Sequence, residues 1–209
     1  MTRVKICGIC TEAAALAAAE AGADAVGFVF YPGSSRYVSP ERAAQLSRLL
    51  PPFVVRVGVF VNAPVAVVER ISDQVGLDLV QLHGDEPPEV CARAPRRVIK
   101  AVRVEGTEAL RRAAEYPACA VLLDAYVPGR YGGTGRPFDW SLLCQIDRPV
   151  ILSGGLTPEN VAEAVRRVRP YAVDVSSGVE TDGEKDPRRI EAFVRAVREV
   201  DRELQEVRR

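Results

Sequence analysis

Ser153-Gly154-Gly155 stands between an apolar run, Val150-Ile151-Leu152, and the polar stretch Thr157-Pro158-Glu159-Asn160. Consecutive glycines let backbone N–H groups come close to a ligand. Thr157 suits an N-cap and Pro158 the first helical position, with Glu159 and Asn160 in the first turn. A helix starting there adds partial positive charge, so the natural guest is an anion, above all a phosphate. The same residues also serve as a tight strand-to-helix turn, and a single Gly-Gly turn is a weak motif. A second stretch shifts the balance. Ala172–Gly178 again reads as a strand ending in small residues, Ser176-Ser177-Gly178, one unit later.

Cys7-Gly8-Ile9-Cys10 matches C-x-x-C. A zinc site needs a second pair, but Cys91, Cys119 and Cys144 stand apart and His83 is the sole histidine. A thioredoxin-like redox pair fits poorly, because Cys7 ends the opening strand with no element before it. Five cysteines in 209 residues do not make a secreted disulfide framework. A zinc site is therefore not expected from these residues.

The formal net charge is zero and the pI about 6.6, which points to neither a nucleic-acid nor a membrane partner. No apolar run reaches the roughly 20 residues that span a bilayer, and the N-terminus lacks a signal-peptide core. A cytoplasmic protein is expected. Only three of the 28 basic residues are lysines, Lys5, Lys100 and Lys185.

Positioning these groups falls to an alternation of apolar strand-like runs with helical patterns. Strands are expected at Arg3–Cys7, Ala23–Phe30, Val54–Phe60, Leu77–Leu82, Arg97–Val102, Ala120–Asp124, Val150–Leu152 and Ala172–Val175. Helices are expected between them, including a short one near Trp140–Cys144. A last helix over Pro187–Val207 places Ile190, Phe193, Val194, Val197 and Leu204 on one face. Eight βα units with short connections imply parallel strands and one domain over residues 1–209. Eight favour a closed (β/α)8 TIM barrel, although an open doubly wound sheet has the same local pattern.

In a barrel the reactive groups sit at the C-terminal strand ends. Here those ends carry Cys7, Tyr31, Asn62, His83, Arg103, Asp124, Ser153 and Ser176-Ser177. Strand alternation turns Lys5 and Cys7 toward the axis, together with Asp174 and Ser176 of the eighth strand. Strands one and eight are neighbours once the barrel closes, so Lys5 is expected to pair with Asp174. A lone buried lysine would be costly.

K-I-C-G-I at 5–9, G-F-V-F-Y-P-G-S-S-R-Y at 27–37, V-G-V-F-V-N at 57–62 and Q-L-H-G-D-E at 81–86 occur in one chain. So do L-L-D at 122–124, Y-G-G-T-G at 131–135, L-S-G-G-L at 152–156 and D-V-S-S-G-V-E at 174–180. In combination they closely resemble the phosphoribosylanthranilate isomerase family of tryptophan biosynthesis, from the first strand to the eighth. The resemblance implies a cofactor-free Amadori rearrangement of N-(5-phosphoribosyl)anthranilate to 1-(2-carboxyphenylamino)-1-deoxyribulose 5-phosphate, by a monomer or homodimer. It also implies that Cys7 is the general base, Asp124 the general acid and Arg36 the holder of the anthranilate carboxylate. Phosphate capture then falls to backbone N–H groups around Gly154, Gly155, Ser177 and Gly178, after strands seven and eight.

Both catalytic assignments carry a chemical difficulty. A free thiol has a pKa of about 8.5, so at neutral pH little of it is thiolate. An ordinary aspartate is ionised there, whereas a general acid must hold a proton. Two acidic groups facing one substrate tend to leave one of them protonated. His83 is expected to support the site by hydrogen bonding. The glycine-rich loop Ala125–Pro137 is expected to close over substrate. Family members commonly carry threonine where this chain has Cys10, and a Cys7–Cys10 disulfide would silence the base.

Other readings explain less. Metal-dependent phosphosugar epimerases need several histidines, and the histidine-pathway isomerases use two aspartates, which leaves Cys7 idle. A non-catalytic phosphate-binding barrel, acting as a regulatory or assembly subunit, is separated from an enzyme by an assay with phosphoribosylanthranilate.

Overall fold

The structure is a computed structural model, described over residues 1–104, 107–124 and 146–206. The loop Ala125–Pro137 and the expected helix near Trp140–Cys144 lie outside the described residues. Eight strands form a closed barrel in sequence order: β1 (Arg3–Cys7), β2 (Ala25–Val29), β3 (Val55–Phe60), β4 (Leu79–Leu82), β5 (Arg97–Arg103), β6 (Ala120–Asp124), β7 (Val150–Ser153) and β8 (Ala172–Val175). Every neighbouring pair is parallel, and β8 closes on β1 with Lys5 opposite Asp174. The open-sheet alternative is thereby excluded.

Alternation along β1 follows the sequence. Val4 and Ile6 join the layer between barrel and helices, whereas Cys7 packs inside the barrel against Val29 and Val59. Below that level Val57, Ile99, Leu122 and Ile151 fill the interior with Ala101, Ala120 and Ala172.

The helices that cover the barrel are α1 (Glu12–Glu20), α2 (Pro40–Leu49), α3 (Val65–Val75), α4 (Pro88–Ala92), α5 (Thr107–Glu115), α6 (Val161–Val168) and α7 (Pro187–Glu206). Thr11 and Ser39 cap α1 and α2 by accepting from the N–H groups of Ala14 and Arg42. On α7, Ile190, Phe193, Val194, Val197 and Val200 are buried and Leu204 packs beside them. Each such side chain contributes about 1.5–3 kcal/mol. The same helix ties the chain ends together. Asp201 accepts from the N–H and hydroxyl of Thr2, and Arg198 donates to the Thr2 carbonyl at 2.7 Å and to Asp24 at 2.8 Å.

One local expectation fails. Residues 157–160 do not open α6, which begins at Val161. Asn160 folds back instead: its Oδ1 accepts from the Thr157 N–H at 2.8 Å and its Nδ2 donates to the Gly155 carbonyl at 2.9 Å. A closed turn therefore separates the glycines from the helix, and any phosphate there depends on loop N–H groups rather than on the α6 dipole. Further elements follow β8. A 3-10 turn at Ser177–Val179 and a small hairpin, β9 (Glu180–Thr181) with β10 (Glu184–Lys185), precede α7. Strands of two residues are too short to show periodicity.

Candidate active site

A cavity of about 400 Å3 opens at the C-terminal end of the barrel. Cys7, Arg36, His83, Asp124, Gly154, Gly155, Ser177 and Gly178 all line it. Every site residue expected from the sequence thus faces one space. A comparable opening of about 410 Å3 lies at the other end, among Arg3, Phe53, Arg97 and Tyr171. It contains none of those eight residues, and barrel chemistry belongs at the C-terminal ends of the strands.

The corner between the loops after β7 and β8 is shaped by glycine. Gly154 and Gly155 take φ of 90° and 65°, a left-handed geometry that side chains disfavour. A Cβ on Gly178 would lie 1.8 Å from the Leu156 carbonyl oxygen, so only glycine lets the loops after β7 and β8 touch.

Cys7 lies deep in the mouth. Burial pushes its thiol above the ordinary value, while Lys5 and Lys185 pull the other way. Ser176 donates to the Cys7 carbonyl at 3.1 Å, and Lys185 donates to both the carbonyl and hydroxyl of Ser176. Below the sulfur, Lys5 Nζ meets Asp174 Oδ1 at 2.8 Å with both side chains buried, as strand alternation predicted. Cys10 is a free thiol whose sulfur lies 3.2 Å from the Arg36 carbonyl, the nearest of three carbonyls it can donate to. Cys7 and Cys10 are not bridged in this structure.

Opposite, Asp124 ends β6 beside His83. His83 Nε2 is 3.5 Å from Asp124 Oδ2, and Gln81 Nε2 lies 2.9 Å from His83 Nδ1. With Gln81 donating, Nδ1 is the acceptor and Nε2 carries the proton toward Asp124. Gln81 is fully buried, and its Oε1 has no partner among the described residues.

Arg36 reaches the cavity with one edge already engaged. Its Nε and Nη2 donate to Glu180 at 2.7 and 2.6 Å. The other edge of the planar fork remains for a second carboxylate. Glu180 also accepts from Lys185. Although burial opposes its charge, Arg36 and Lys185 hold the Glu180 carboxyl below the usual carboxylate range. On the far rim, Glu86 accepts from the N–H groups of Asn62 and Gly84 and pairs with buried Lys100 at 2.8 Å, fixing the loops after β3 and β4.

Glu180, Lys185, Gln81 and Glu86 gave no sequence signal as individuals. One pattern was available. In a chain that otherwise uses arginine, all three lysine side chains are buried, and each meets a carboxylate: Lys5 with Asp174, Lys100 with Glu86 and Lys185 with Glu180. A compact ammonium fits a barrel interior where a guanidinium fork does not.

A glycine-shaped corner, a thiol and a carboxyl line one mouth of a (β/α)8 barrel, a set of groups that could serve acid–base chemistry. The family model for N-(5'-phosphoribosyl)anthranilate (PRA) isomerase matches residues 4–196. The N-(5'-phosphoribosyl)anthranilate isomerase of Citrifermentans bemidjiense is 53% identical over 203 residues, covering 96% of this chain and 98% of its own. A solved phosphoribosylanthranilate isomerase in complex with reduced 1-(o-carboxyphenylamino)-1-deoxyribulose 5-phosphate superposes with a TM-score of 0.84 at 47% identity, over 95% of this chain and all of that one. A structure of monomers generated from the dimeric enzyme of Thermotoga maritima superposes at 0.82 with 46% identity and the same coverage. The chain belongs to the phosphoribosylanthranilate isomerase family.

Proposed function

We propose that this chain isomerises N-(5-phosphoribosyl)anthranilate to 1-(2-carboxyphenylamino)-1-deoxyribulose 5-phosphate with Asp124 as acid and Cys7 as base. Asp124 protonates the ribose ring oxygen, and the C1–O bond breaks to leave a Schiff base. The Cys7 thiolate removes the proton from C2, and the resulting enamine tautomerises to the ketone. Backbone N–H groups of Gly154, Gly155, Ser177 and Gly178 hold the phosphate, and the outer edge of Arg36 holds the anthranilate carboxylate. The supporting observation is that all seven residues line one cavity. Loss of substrate fluorescence on adding purified protein tests the activity, and a flat trace at micromolar enzyme would overturn it.

Arg36→Lys is expected to raise KM more than it lowers kcat, because an ammonium cannot serve Glu180 and a substrate carboxylate in one plane. Glu180→Gln should shift KM in the same direction by loosening the clamp. Because the Glu180 pKa is depressed by folding, its contribution is full above the unfolded value of about 4.3 and lost only as pH falls through the lower folded value. KM should therefore hold steady down to about pH 5. Unchanged KM in both variants would show that Arg36 is a surface residue.

Of monomer and homodimer, the homodimer has support in the relative described as dimeric and in Phe53, which is 94% exposed beside the apolar opening at the N-terminal end. Phe53→Asp should convert a dimer to a monomer in light scattering. Two equal masses would refute this interface. We place the activity in the cytoplasm, where reducing conditions keep Cys7 as a thiol. Among the described residues no helix is long and apolar enough to cross a membrane.

A further inference from the structure

We infer that Lys5 is a positioning residue for the chemistry: its ammonium, anchored by Asp174, faces the Cys7 sulfur and holds the thiolate that takes the substrate proton. The inference rests on the reading of Cys7 as the base.

The geometry begins with strand period. Residues 5 and 7 of β1 point the same way, one step apart along the barrel axis. The residue opposite Cys7 on β2 is Gly27, which has no side chain to part them. A Cβ built on Gly27 would lie 2.8 Å from Cys7 Sγ and 3.2 Å from Lys5 Nζ. Sulfur and ammonium therefore sit over the same gap, no farther apart than those two distances combined. Lys5 is buried, as is Asp174, whose other oxygen accepts from Ser153 Oγ at 3.3 Å. The ammonium is thus held in place rather than waving in solvent. Burial disfavours its charge, but Asp174 and Cys7 carry its pKa above the ordinary lysine value. Lys5 keeps its proton throughout and supplies charge, not a proton.

The other charged groups around the sulfur are balanced differently. Asp174 on β8 opposes thiolate formation, and Lys185 on β10 favours it. Arg36, in the loop after β2, also feels the Cys7 charge, as does Cys10 beyond it. Both Lys185 and Arg36 are pinned to Glu180. Lys5 is the cation that shares the Gly27 gap with the sulfur, and the placement of lysine two residues before the cysteine on one strand face serves that end.

The test is the pH dependence of Cys7 alkylation by iodoacetamide, read on the Cys7 peptide by mass spectrometry, together with the pH profile of kcat. Lys5→Met with Asp174→Asn removes the pair without leaving a lone buried charge. The expected result is a thiol pKa higher by about one unit or more, a roughly tenfold lower kcat at pH 7 that recovers as pH rises, and a KM within about twofold. Gly27→Ala provides a second route, wedging a methyl group between sulfur and ammonium while both charges stay. It should move the alkylation profile the same way. An unshifted profile in either folded variant overturns the inference. Full activity of Cys7→Ser would instead overturn the base assignment, and the alkylation profile would still report on Lys5.

Discussion

Cys7→Ser is expected to lower kcat by at least about 10²-fold, the lower range for loss of a general base. The serine hydroxyl occupies nearly the same space, so the cavity and the glycine corner survive the change. What is lost is an accessible anion. A thiolate forms within reach of neutral pH, and an alkoxide does not. The sign of the pH dependence follows from the same chemistry. A base works deprotonated, so kcat/KM of the unmodified protein should climb as pH rises through the thiol pKa. Burial lifts that value above the ordinary one, so the climb should continue beyond about pH 8.5. Steady-state rates between pH 6 and 9.5 check both points. A variant that keeps near-full activity, or a profile that falls through that range before any rise, removes Cys7 from the role.

The barrel was legible because each of its strands is a short apolar run bounded by a turn, and because Lys5 and Asp174 could be placed face to face from alternation alone. The glycine corner was legible for a similar reason: few residues other than glycine tolerate the φ of Gly154 or the closeness of Gly178 to Leu156. The helix start after β7 was misplaced because Thr157 and Asn160 are both good capping residues, and only the fold-back of Asn160 onto Gly155 decides between them. The groups around Arg36 stayed hidden for a different reason. Nothing local assigns Glu180 and Lys185 to the mouth; a hairpin of two-residue strands brings them there. Arg36, which Glu180 binds, lies 144 positions away in the chain. Long-range pairing of that kind leaves no local pattern to read.

Asp124→Asn is the complementary variant, with an expected fall in kcat of at least about 10²-fold and little change in fold. Asparagine keeps the size of the side chain and one acceptor oxygen but has no proton to give to the ribose ring oxygen. The surroundings of Asp124 suit a group that changes protonation state during turnover. With the Gln81 amide donating to His83 Nδ1, Nε2–H faces an ionised Asp124. With the amide turned over, Gln81 Oε1 accepts from Nδ1–H, and Nε2 is free to accept from a protonated Asp124. One orientation fits the carboxylate left after proton transfer and the other fits the acid before it. The Oε1 that has no partner among the described residues in the first orientation gains one in the second. His83→Phe should accordingly cost less than Asp124→Asn, since it removes the support and leaves the proton donor. If Asp124→Asn turns over substrate at close to the native rate while His83→Phe is inactive, the acid is His83 and the roles of the two residues are reversed.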